Sequence, residues 1–211
     1  MKLILPIFIL TILFSCKNER KISNKNIDFL NKKKDTTYVK KILRNNYPNK
    51  DMEEIEIYIS NKNDTIINQY KCFPKGILDS VKSRFYNLSV SKTKTKDIYH
   101  GEINLRSFAD KFKISKNENY FLEFSYWQIT KDSTYITTTK VKQKNKISFN
   151  YLNIVDDNLS GILILTATND TIENGEEKIR IRNLEMLVDN KPETNNVFLK
   201  SFEFYKNYRF K

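Results

Sequence analysis

The chain reads as an all-β protein, an antiparallel β-sandwich with an immunoglobulin-like arrangement as its candidate form. Three observations predict this. Short runs of alternating, β-branched and aromatic residues recur every dozen or so positions. The breaks between them carry turn chemistry, and Asn174-Gly175 is the strongest hairpin signal in the chain. No series of amphipathic helices separates the strands, as a parallel helix-strand fold would require.

The first segment is of a different kind. Met1-Lys2 gives one positive charge, Leu3–Phe14 is apolar apart from Pro6 and Thr11, and Leu13-Phe14-Ser15-Cys16 closes the run before Lys17-Asn18-Glu19-Arg20-Lys21 turns polar. A charged start, a short apolar core and a small residue at the cut are the parts of a secretory signal. With cysteine next, the stretch resembles a bacterial lipoprotein signal, although Phe14 is bulkier than is usual at its place in the box. The resemblance implies a signal peptide over 1–15, cleavage between Ser15 and Cys16, and a thioether-linked diacylglyceryl group on Cys16. An acyl chain such as palmitate on the new amino terminus usually follows. An uncleaved membrane helix fits less well, because the run is far shorter than the roughly 20 residues needed to span and contains proline. Two acyl chains suffice for stable anchoring, at about 0.8 kcal/mol per buried methylene.

Residues 16–50 read as a lipidated basic tether with room for one short helix, and 51–211 as the sandwich. In the tether Asp35-Thr36-Thr37 can cap a helix carrying Val39, Ile42, Leu43 and Tyr47 on one face, ended by Pro48; an extended run over 37–43 is the alternative. From Met52 the period is two. Ile55, Ile57 and Ile59 alternate with Glu54, Glu56 and Tyr58. Asn61–Asp64 is a turn, Thr65–Phe73 a strand, and Phe73-Pro74-Lys75-Gly76 a proline-started turn. Ile77–Val90 is read as a strand, with helix as the alternative for its first half. Strands are then expected at 98–108, 119–129, 134–143, 147–154, 159–168 and 177–188. Ile179 and Ile181 fall on one face of the last but Leu184, Met186 and Val188 on the other, which predicts a bulge near Arg182–Leu184. Val197–Phe210 is read as a final strand.

Charge and composition narrow the chemistry. The formal net charge is +12, but residues 17–50 hold +8 of it and 51–211 only +3. The excess therefore lies beside the proposed lipid; it is read as solvation of a Lys- and Asn-rich stretch, with attraction to anionic head groups as the alternative, and nucleic acid is not an expected partner. With Cys16 acylated, Cys72 is the remaining thiol, read as a small packed hydrophobe. Only four glycines occur, at 76, 101, 161 and 175, too scattered for a phosphate-cradling loop. His100 is the sole histidine. It is read as a structural or solvated strand residue rather than a member of a triad with a serine or Cys72. Asp156-Asp157-Asn158 and the cluster Asn169, Asp170, Glu173, Asn174 and Glu176 lack calcium-loop spacing. No metal, cofactor or catalytic residue is therefore expected, and Cys16 is the one site residue. Lys140, Lys142, Lys144 and Lys146 alternate, as do Lys92, Lys94 and Lys96, as basic ridges or as edge protection. Asp64-Thr65-Ile66, Asp79-Ser80-Val81 and Asp170-Thr171-Ile172 resemble the acceptor of one bacterial O-glycosylation system.

These features lead to a membrane-anchored envelope lipoprotein whose β-domain binds or scaffolds a protein or glycan without catalysis. The alternatives are a hydrolase using dispersed carboxylates, and an inhibitor or immunity lipoprotein against a secreted toxin. Lys17 where inner-membrane lipoproteins often carry Asp points to the outer membrane. Lys17-Asn18-Glu19 also partly resembles a surface-export signal of lysine followed by two acidic residues, from which Asn18 departs.

Overall fold

The computed structural model describes residues 37–111 and 118–199. Eleven strands run through them: β1 (Tyr38–Asn46), β2 (Met52–Ser60), β3 (Thr65–Phe73), β4 (Phe85–Lys92), β5 (Ile98–Arg106), β6 (Glu118–Ile129), β7 (Thr134–Lys142), β8 (Lys146–Leu152), β9 (Ser160–Glu173), β10 (Glu176–Asp189) and the short β11 (Glu193–Thr194). They form three antiparallel sheets, in the orders β4-β5-β8, β10-β9-β6-β7 and β11-β1-β2-β3. The first two face each other as a seven-stranded sandwich. Their order follows an immunoglobulin-like Greek key, except that the fourth sandwich strand, β7, pairs with β6 instead of β8.

Alternation along the strands fills the interior. Ile103 and Leu105 of β5, Ile147, Phe149 and Tyr151 of β8, and Leu122, Phe124 and Tyr126 of β6 meet Leu163 and Leu165 of β9 and Met186 and Val188 of β10. Rings meet at a tilt through the centre, with Phe124 and Phe149 centroids 4.7 Å apart and Tyr126 and Phe149 4.9 Å apart. Each such pair adds about 1 kcal/mol beyond its buried area. Two glycines make room for these rings. A Cβ on Gly101 would overlap the Phe149 ring, and one on Gly161 would lie 2.6 Å from Phe124.

The third sheet covers the other side of β10. Leu187, between Met186 and Val188, points out of the sandwich and is buried against Tyr38, Tyr58 and Ile66. Beside the strand edge, the Asn68 amide of β3 imitates a strand. Its Oδ1 accepts the Leu187 N–H at 2.7 Å, and its Nδ2 donates to the Leu187 carbonyl at 2.8 Å. A bridge between Tyr70 and Arg84 ties β3 to the chain entering β4.

Several local expectations are corrected. Residues 38–46 are strand β1, not a helix, and they belong to the folded sheet rather than to a tether reaching residue 50. Ile42 and Leu43 are exposed on this strand, so burial of an apolar face does not set its conformation. The nine-pair ladder with β2 decides instead. Residues 77–79 are irregular and 80–82 a turn, held where Asp79 accepts the N–H groups of Val81 and Lys82, and the strand starts at Phe85. No bulge lies near Arg182, since β9 and β10 pair without interruption from Glu173–Glu176 to Ser160–Asp189. The apolar phase changes because Ile179 and Ile181 are exposed, at 67% and 62%. A register shift occurs elsewhere, between Glu56 and Ile57 on β2, and Tyr58, grouped with the glutamates by alternation, is fully buried. Residues 197 and 198 form a turn rather than a strand; 200–211, like residues 1–36 with Cys16 among them, lie outside the described residues.

Candidate functional site

Where the third sheet meets the sandwich, an open cleft of about 360 Å³ is lined by Lys40, Gln69, Asn87, Asp189 and Asn190, with Tyr86, Leu88 and Val90 as its apolar wall. β1 supplies Lys40, β3 Gln69, β4 the wall, and the end of β10 Asp189. Lys40 and Asp189 stand 149 positions apart, and Lys40 Nζ donates to the Asp189 carbonyl at 2.7 Å. Gln69 is fixed at both ends, its Oε1 accepting the Tyr86 N–H at 3.0 Å and its Nε2 donating to Glu56 at 2.9 Å.

Asp189 joins the parts. Its side chain accepts from the Tyr58 hydroxyl at 2.9 Å, Ser160 Oγ at 3.0 Å, Thr194 Oγ1 at 2.6 Å and Asn196 Nδ2 at 3.1 Å. Burial pushes its pKa up, and the four hydrogen bonds oppose that shift. Desolvation, followed by the nearby Asp189 carboxylate, raises the Tyr58 phenol far above its ordinary range. With four donors already directed at it, the carboxylate is a structural knot and not a free base. The cleft thus offers the Lys40 ammonium, the exposed Asn87 amide and a short apolar wall, which is chemistry for holding a polar ligand.

The residues singled out in the sequence are dispersed. His100 lies on the outward face of β5, Nδ1 2.9 Å from Asn150 Oδ1 and Nε2 3.4 Å from Ser148 Oγ. The order is that of nucleophile, base and orienter, but the serine contact is long. Its cross-strand neighbours are Ser91 and Asn150, on an open polar face. The lysine series splits between sheets. Lys140 pairs with Glu123 at 2.5 Å and lies 4.6 Å from the Phe121 ring centroid, whereas Lys146 pairs with Glu102 at 2.6 Å. Of the other series, Lys92 ends β4 and Lys94 and Lys96 lie in the following turn.

Asp157 pairs with Lys191 at 2.7 Å, and that bond lowers its pKa. Asp156 instead accepts from Asn153 and Asn158 at 2.9 Å each, so the two carboxylates diverge. Asp170 and Glu173 are spread along the β9–β10 hairpin. Cys72 is a free, half-buried thiol on β3. Ser80 and Thr65 are exposed and Thr171 is half-buried.

Sequence reasoning missed Lys40, Asn68 and Asp189. No local signal marks them, because each acquires its role from a partner more than a hundred residues away. No family model matches the chain, and neither a curated protein nor a solved structure matches it.

Proposed function

We propose that the protein is a lipid-anchored envelope protein whose all-β domain binds or scaffolds a ligand without catalysis. The observation that carries the reading is the closing box Leu13-Phe14-Ser15-Cys16 after a short apolar run and before an abruptly polar stretch. Cleavage at Ser15–Cys16 and acylation of Cys16 leave a solvated basic tether between the lipid and the domain. The outer membrane is the expected site, on the strength of Lys17, with the domain presented at its outer face. The polar cleft supports the binding role. No helix among the described residues is long and apolar enough to cross a membrane.

The test is the mass of the protein extracted from membranes. It should correspond to residues 16–211 plus acyl chains, and Cys16→Ala should give uncleaved or mislocalised precursor while Cys72→Ala stays attached. Retention of Met1 on the mature wild-type protein would sink the reading. Protease treatment of intact cells reports the face, since surface display predicts loss of the domain while a periplasmic control survives. The competing hydrolase reading is tested with polysaccharides and chromogenic esters and glycosides. Turnover abolished by one carboxylate substitution would replace the binding role.

A further inference from the structure

We propose that the free edge of β10, from Glu177 to Glu185, is a docking edge for an extended acidic strand of a partner protein, which adds to the sheet by β-augmentation. The direction of the backbone is the first ground. Leu187 turns both its N–H and its carbonyl off the sheet edge, where Asn68 takes them. In an antiparallel strand such outward groups recur at every second residue. Glu185, Asn183, Ile181, Ile179 and Glu177 therefore present theirs in the same direction. Among the described residues no strand pairs with this edge, and 176–183 are exposed. The fold itself has used the strand-pairing capacity of the edge at its inner end, and with a side chain that copies a peptide group.

Charge selects the occupant. The even positions between these residues carry Lys178, Arg180 and Arg182. Lys178 lies 3.3 Å from Glu173, while Arg180 and Arg182 form no ion pair among the described residues. A second copy of β10 laid antiparallel on the first would oppose two cations in every register centred from 178 to 182. Like charges directly opposite destabilise a pair. An acidic strand gains from the same positions, by meeting a cation at each. On the other face Ile179 and Ile181, with Ile172 of β9 beside them, offer apolar contact. The complementary segment alternates acidic and apolar residues; main-chain bonds give it affinity and the alternation gives it specificity. The arm presents this edge whether or not Cys16 is acylated, so failure here and failure of the anchor are separately visible.

The experiment is amide hydrogen exchange on the full chain in detergent, with the peptide acetyl-Val-Glu-Val-Glu-Val-Glu-Val-amide and its counterpart carrying Lys for Glu. The acidic peptide should slow exchange about tenfold or more at the amides of 177, 179, 181, 183 and 185. The even-numbered amides, already bonded to β9, should not change. Ile181→Pro removes one outward N–H without touching the β9 ladder, as edge prolines do, and should weaken binding at least about tenfold. Should that variant lose its even-numbered protection, Arg180→Glu with Arg182→Glu decides, by transferring preference to the Lys peptide. The proposal is overturned by equal protection from both peptides, by binding that leaves the odd-numbered amides unprotected, or by no binding at about 1 mM. Protection that rises with protein concentration alone would also overturn it, and would assign the edge to a second copy.

Discussion

The two halves of the β9–β10 hairpin share one unbroken register but have opposite surroundings. The half nearer Ser160 and Asp189 is covered on both faces, with Met186 and Val188 inside the sandwich and Leu187 under the third sheet. The half nearer Asn174-Gly175 has Ile172, Ile179 and Ile181 exposed and no cover on either face of β10. Pairing therefore sets the shape of a strand, while burial is set by what lies above and below it. Stability should follow burial, and the two halves should respond very differently to substitution.

The largest effect is expected at the knot of the covered half. Asp189→Ala leaves Tyr58, Ser160, Thr194 and Asn196 with donors directed at nothing, and should cost about 3 kcal/mol or more in denaturant unfolding. A loss below about 1 kcal/mol would show that the third sheet is held by other means. Gly161→Ala should follow, at about 1–3 kcal/mol, because the new methyl must displace the Phe124 ring or the Ser125 carbonyl. Asn68→Ala strands the buried Leu187 N–H, again at a cost of about 1–3 kcal/mol, while the Tyr86 hydroxyl still donates to the Leu187 carbonyl at 2.8 Å. It should also speed exchange of the Leu187 amide, which a purely packing role would leave protected. Ile179→Thr in the bare half should change global stability by no more than about 0.5 kcal/mol. A cost near that of Asn68→Ala would mean that the arm is covered in solution.

Acidity sharpens the contrast further. The Asp189 pKa is raised by burial above its unfolded value, so the folded state holds the proton more tightly. Its contribution to stability is fully present below the ordinary aspartate range and is lost as pH rises through the raised value. The stability gap between wild type and Asp189→Asn should therefore narrow as pH rises across that window; a gap that widens would contradict the direction of the shift.

Local chemistry made much of this fold legible. Asn174-Gly175 has positive φ at both residues, 56° and 81°, which is what Asn-Gly favours in a two-residue hairpin loop. The strands over 98–106 and 146–152 followed from alternation because one face of each is buried and the other solvated. Alternation failed where both faces are covered or both bare, as at Tyr58 and at Ile179 and Ile181. Helical spacing misled at Val39–Tyr47, because apolar residues at that spacing can also sit exposed along a paired strand. The cleft was illegible for another reason. Its floor and its ammonium come from opposite ends of the described chain, and no short window of sequence contains both.

The ladder between β1 and β2 also has a mechanical meaning. A pull entering at Tyr38 along the strand axis loads nine register pairs together, so they must yield at once, as in a lap joint. A pull across the axis meets them singly, beginning at Tyr38 and Ser60, and opens the sheet like a zip. The same joint is strong or weak according to the direction of the tug. If the chain before Tyr38 is a membrane leash, drag parallel to β1 would leave the domain intact, whereas drag across it would peel β1 away first and uncover the edge of β2.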